Sequence, residues 1–112
     1  ENLLKFEMNE PRKIFKDITR DIFLNEEVEN YEKLKFSKEA TILDNLTIYP
    51  THIFKGKIYS AYLFNVTARE DIQNINEKLF LNLDLKNKRS IALKDKKLLK
   101  NQTTQLIIIV GN

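Results

Sequence analysis

The chain has 112 residues, enough for one domain around a single hydrophobic core, and a formal net charge of only +3. Apolar and charged fractions of 42% and 31% are those of a folded globular domain, not a disordered one. Two glycines, two prolines and no cysteine exclude low-complexity segments, disulfide scaffolds, thiolate catalysis and cysteine-ligated zinc.

In chain order, Leu4, Phe6 and Met8 alternate with Lys5 and Glu7, which predicts a short strand ended by Asn9, Glu10 and Pro11. Proline suits the first turn of a helix, where its missing N–H would have no partner. From there Ile14, Phe15, Ile18 and Ile22 fall at helical spacing, with Arg12, Lys13, Lys16, Asp17 and Arg20 around the other face. The spacing predicts a helix over 11–24, and Val28, Tyr31 and Leu34 extend the pattern as a second helix beyond a break at Asn25.

After Ser37 the period changes to two. Leu46, Ile48 and the stretch 51–54 are rich in β-branched and aromatic residues, but Pro50 removes a ladder donor. The segment is therefore an edge strand, a bulged strand or two short strands. Lys55, Gly56 and Lys57 read as a compact turn in which Gly56 supplies a positive φ. A long strand is expected over 58–68, with Tyr62, Phe64, Val66 and Ala68 on one face, followed by a polar loop over 69–76. Leu79, Leu81, Leu83 and Leu85 predict another half-buried strand, then a turn at Lys86, Asn87 and Lys88 and a short strand over 90–93. The final strand, 104–110, is apolar on both faces and belongs in the middle of the sheet. The reading is one domain, mainly β: residues 1–40 supply a strand and a helical element, and 41–112 an antiparallel sheet.

Catalytic residue types are scarce. The single histidine, His52, lies inside a strand signal, and Ser37, Ser60 and Ser90 occupy no nucleophile turn, so no acyl-transfer constellation is present. Asp21, Glu26, Glu27 and Glu29 form an acidic block without the glycine that a calcium loop needs, and read as a solvated surface. Neither a GxGxxG nor a GxxxxGK[ST] fingerprint occurs, which argues against nucleotide chemistry. No catalytic, cofactor-binding or metal-binding residue is nominated, and the expectation is a non-enzymatic domain without a cofactor. Asn45, Asn65 and Asn101 each begin an N-glycosylation tripeptide, a pattern that a chain this rich in asparagine also produces by chance.

Charge is unevenly placed. Residues 86–100 carry Lys86, Lys88, Arg89, Lys94, Lys96, Lys97 and Lys100 against Asp95 alone. These seven are the candidate partner-binding residues. A protein partner is the first expectation, an anionic surface the second and nucleic acid the third, because arginine and exposed aromatic platforms are scarce. No apolar run approaches the roughly 20 residues that span a bilayer. A chain beginning at Glu1 suggests an extracytoplasmic domain, periplasmic or at the cell surface, either free or tethered to a membrane.

The segment 57–70, the alternating run 79–85, and residues 99–110 with their polar Lys100, Asn101, Gln102 and Thr103 lead-in resemble bacterial immunoglobulin-like accessory domains. Residues 56–64 are similar to the domain ending FixG-type oxidase assembly proteins. This resemblance implies an immunoglobulin-like sandwich acting as an assembly module of the bacterial envelope. It departs from the family at the helical amino-terminal third, and at Asn101, which replaces the usual glycine before the last strand. A helix followed by a curved antiparallel sheet also resembles the nuclear-transport-factor-2-like periplasmic subunits of type IV secretion and conjugation systems, an α+β architecture.

Overall fold

The computed structural model describes residues 2–112. Two helices, α1 (Asn2–Glu7) and α2 (Pro11–Asn25), precede six strands: β1 (Glu32–Lys35), β2 (Thr41–Leu43), β3 (Leu46–Lys55), β4 (Tyr59–Ala68), β5 (Lys88–Leu93) and β6 (Thr103–Gly111). A 3-10 helix, Glu77–Asn82, lies between β4 and β5. All six strands join one antiparallel sheet in the order β1-β3-β4-β6-β5, with β2 pairing β3 beside β1. The protein is mainly β, and its layers are a helix, the sheet, and the 3-10 helix with its flanking chain.

The sheet separates two cores. On one face Ile14, Ile18 and Ile22 of α2, all fully buried, pack on Phe54, Ala61, Leu63, Ile107 and Ile109. Burying each isoleucine contributes about 1.5–3 kcal/mol. Pro11 opens this helix as its spacing predicted, and Glu26 closes it in the left-handed region at φ 52°, donating its N–H to the Ile22 carbonyl. On the other face Phe64, Val66, Ala68, Leu106, Ile108 and Val110 pack against Phe80, Leu83, Ile75 and Leu98. Strand β6 feeds both cores from alternate residues, which accounts for its unbroken apolar run and its position between β4 and β5.

Pro50 marks a bulge. The register of β3 on β4 shifts between Pro50 and His52, so Leu46 and Ile48 face one core while Phe54 faces the other. Without the inserted residue, positions of the same parity would share a face. On the outer side of β3, β2 pairs residues 46–48 and β1 pairs 52–55, leaving Pro50 where no ladder donor is required.

Four expectations are corrected. Leu4, Phe6 and Met8 belong to α1 and its exit, not to a strand: Asn2–Glu7 contains good helix formers, and Met8 projects into solvent. Val28 to Leu34 form no second helix, because positive φ at Glu26 and Asn30 ends helical continuation and the chain enters β1. The leucine run forms no strand: Leu79 and Leu81 lie in the 3-10 helix, and Leu83 and Leu85 follow it in irregular chain. Phe80, off the leucine parity, is buried, whereas Leu81 is 58% exposed. The run contains no β-branched residue, and the Asn76 side chain caps it by accepting from the Lys78 N–H at 3.0 Å. Finally, Gly56 has no positive φ. Its missing Cβ makes room instead, since a Cβ there would lie 2.5 Å from the Glu7 carboxylate and 2.6 Å from the Tyr31 ring.

Candidate functional site

Glycine 56 points to a feature that periodicity missed. Glu7, 3% exposed, accepts hydrogen bonds from the N–H groups of Lys57 (3.1 Å), Ile58 (3.0 Å) and Tyr59 (3.0 Å) and from the Tyr31 hydroxyl (2.8 Å). Three successive backbone donors at the β3–β4 turn form a concavity suited to an anion, and the chain fills it with its own carboxylate. Burial first, then the hydrogen bond to Glu7 and the charge of that carboxylate, raise the Tyr31 pKa well above the usual phenol value. Glu7 thus fastens α1 to the hairpin and works as a structural clamp.

Among the described residues the sheet ends in β1 and β2 on one side and in β5 on the other, and the β5 margin is the one flanked by basic residues named from the sequence. Lys94 donates its N–H to the Gln105 carbonyl at 3.0 Å. Inter-strand bonds in an antiparallel pair involve every second residue, so Ala92 and Ser90 share that inward orientation, and Ile91 and Leu93 turn their N–H and C=O groups outward. The Leu93 N–H confirms this parity by donating to Glu77 Oε2 at 3.0 Å. Glu77 Oε1 also pairs with Lys96 Nζ at 3.5 Å. One outward donor is therefore capped, while the stretch from the bulge at Arg89 to Ile91 stays open.

A shallow cavity of about 290 Å³ runs along this stretch, lined by Glu77, Lys78, Leu81, Lys88, Arg89, Ser90 and Ile91. Lys88 Nζ donates to the carbonyls of Leu85 (2.9 Å) and Leu81 (3.2 Å), bracing the end of the 3-10 helix against β5. Among the described residues, no carboxylate pairs with Lys78, Lys88 or Arg89.

The seven basic residues named from sequence do not form one patch. Lys86, Lys88 and Arg89 sit where β5 begins, and Lys94, Lys96, Lys97 and Lys100 lie beyond its other end. At ~3.3 Å per residue the six-residue strand separates the groups by about 17 Å. Of the second group, Lys96 is engaged by Glu77, and the Lys100 backbone N–H donates to Asp71 at 2.8 Å. Sequence reasoning found the basic residues near the edge but missed Glu77 and Lys78, which fall between the expected loop (69–76) and the expected strand (79–85), and placed Leu81 in that strand.

The other candidates occupy separate places. His52 lies in β3 beyond the bulge, half-buried, with Nδ1 lacking a hydrogen-bond partner. Ser60 is buried and donates to Asn112 at 2.7 Å. Asp21, Glu27 and Glu29 line an open crevice of about 840 Å³ beside α2 and β1, but no cluster of acidic or histidine side chains suited to a metal ion occurs among the described residues. Likewise, among the described residues no helix is long and apolar enough to cross a membrane. Compared with known protein families and with curated proteins, the sequence matches none.

Proposed function

We propose that the chain is a non-enzymatic protein-interaction or assembly module of a bacterial envelope or secreted protein, working outside the cytoplasm and engaging its partner through the β5 edge. The observation that carries this reading is the β5 margin, where outward backbone groups open onto a lined cavity flanked by basic side chains. The opposite margin is formed by the short strands β1 and β2, which pair residues 52–55 and 46–48 of β3. Unpaired strand edges are natural templates for an added strand. The split of the basic residues between the two ends of β5 argues against a continuous nucleic-acid track.

Within that function, the immunoglobulin-like sandwich implied by residues 56–110 is one architecture. The second is the helix-plus-sheet arrangement of type IV secretion subunits. Packing of α2 across a single antiparallel sheet favours the latter. Photocrosslinking residues placed singly at Arg89, Ser90, Tyr49 and Leu34 in the cell of origin test the reading. Discrete adducts are expected from positions 89 and 90 and not from 49 or 34. Adducts from Tyr49 or Leu34 with none from β5 refute it.

A further inference from the structure

The open stretch of β5 also specifies the chemistry of what fits it. We propose that the slot between the 3-10 helix and β5 accepts a short extended acidic segment of a partner protein, one with carboxylates alternating with branched apolar residues, added as a further strand. This deepens the reading above and rests on it.

Three observations define the occupant. First, the wall is backbone. Ile91 presents an outward N–H and C=O, while the neighbouring outward donor, on Leu93, is already taken by Glu77. The accessible ladder therefore ends before Leu93, and the bulge between Lys88 and Ser90 limits it at the other end, so only a few residues can pair. Second, the rim is apolar on one side. Leu81 is 58% exposed and lies with Ile91 along the cavity, so every second side chain of an added strand meets hydrocarbon there. Third, the remaining surface is cationic and unmatched. Lys78, Lys88 and Arg89 line the slot, and its one carboxylate, Glu77, is occupied by Lys96 and the Leu93 N–H. Lys88 is pinned by two carbonyls, which fixes its charge at the slot instead of letting it sweep through solvent. A positive wall favours an acidic strand and repels a basic one. Arg89, over Gly111, lies on the side of the sheet opposite Leu81 and Ile91, so carboxylates at alternate positions face Arg89 while the apolar residues face Leu81 and Ile91, with Lys78 and Lys88 adding positive charge beside that apolar rim.

The crevice beside α2 is only an acidic cluster, and the donors at the β3–β4 turn are already filled by Glu7. Neither identifies an outside ligand.

The test uses the full 112-residue chain, labelled with nitrogen-15, and capped hexapeptides of alternating glutamate and valine. Saturable amide shifts are expected at residues 88–93 and 78–81, with a dissociation constant on the order of 100 μM at low salt, typical of a short unoptimised segment. The surface reversal Lys78→Glu with Arg89→Glu should weaken binding at least tenfold, and an alternating lysine and valine peptide should not bind. Backbone pairing is tested separately with two peptides N-methylated at the glutamates or at the valines. A strand turns alternate N–H groups to opposite sides, so one series should lose binding at least tenfold while the other keeps it. Equal behaviour of the two series, shifts centred on β1, or no binding at 2 mM peptide overturns the proposal. Should the peptide fail while crosslinks from positions 89 and 90 persist, the acidic-strand chemistry falls and the edge reading stands. If those crosslinks are absent as well, both fall.

Discussion

Replacing Glu7 by alanine tests whether one side chain fastens the amino-terminal helix to the sheet. The carboxylate accepts four hydrogen bonds, three from backbone N–H groups of the β3–β4 turn and one from Tyr31. Bonds to a charged acceptor contribute about 1.5–3 kcal/mol each, roughly 6–12 kcal/mol in all. Desolvating the carboxylate offsets several kcal/mol of this, and exposure of Lys57 and Ile58 lets water solvate two of the orphaned donors. The net loss expected for Glu7→Ala is about 3 kcal/mol, seen in urea unfolding as a lower midpoint at unchanged slope. Glu7→Gln keeps one acceptor oxygen but sets an NH2 group against a donor, and should recover about half of that loss. Gly56→Ala places a methyl carbon 2.5 Å from Glu7 Oε2, so it should expel the carboxylate and cost about as much as Glu7→Ala. The double mutant should then fall short of the sum by ~1 kcal/mol or more, the mark of a shared interaction. A Glu7→Ala protein within ~0.5 kcal/mol of the parent, a surface-like value, or strict additivity with Gly56→Ala, refutes the clamp.

Three further outcomes follow from the same geometry. Phe80→Ala should cost about 3–5 kcal/mol in chemical unfolding, because the ring is fully buried, while Leu81→Ala should stay within ~0.5 kcal/mol. A half-buried strand would instead make Leu81 and Leu83 equivalent. Thr104→Val removes a hydroxyl that donates to Asp95 Oδ2 at 2.8 Å and accepts from the Asp95 N–H at 3.1 Å, and should cost about 1–2 kcal/mol by the same assay. Tyr31 has a raised pKa in the folded chain, so its phenol stays protonated where the unfolded chain begins to lose that proton. Its stabilising contribution is complete below the ordinary value of 10.0 and is lost as pH rises above it. Urea midpoints of the parent should therefore decline between pH 9 and 11.5 more steeply than those of Tyr31→Phe, and parallel declines would refute the linkage.

Much of the sheet was legible because β4 alternates apolar residues at period two and β6 carries an unbroken β-branched run of strand length. Residues 59–68 and 103–111 formed the expected ribbons, and Ile14, Ile18 and Ile22 formed the expected helical stripe. The misreadings share a cause. Leu4, Phe6 and Met8 at one end, and Leu79 to Leu85 in the middle, show alternation over too few residues to separate a strand from a turn of helix. Leucine itself favours neither as strongly as isoleucine favours a strand. Asn101 shows the reverse case. Its φ of 70° is a conformation that asparagine tolerates without glycine's freedom, and no periodicity announces it. The clamp at Glu7 spans about fifty residues of sequence to Lys57, a separation at which no periodicity speaks. Gly56 was the available signal, for close approach and not for a turn.

The position of the candidate site is itself a consequence of composition. Leu106, Ile107, Ile108, Ile109 and Val110 are all buried, so β6 must have a layer on each face and a strand on each side. Strand β5 precedes it in the chain but carries Lys88, Arg89 and Ser90 at its start, a segment that a central position would leave charged and buried. The sheet therefore places β6 inside and β5 at the margin. A margin of this kind risks indiscriminate pairing, and the chain restricts it with a bulge, with positive charge and with the Glu77 cap on Leu93. Those devices shorten the open ladder to the stretch around Ile91 without closing it. A fully protected edge would place a carboxylate or a proline there as well. On the acidic-strand proposal, capping the Leu93 end alone leaves the stretch around Ile91 available to a partner, whereas an edge shielded only against aggregation would have no reason to leave it open.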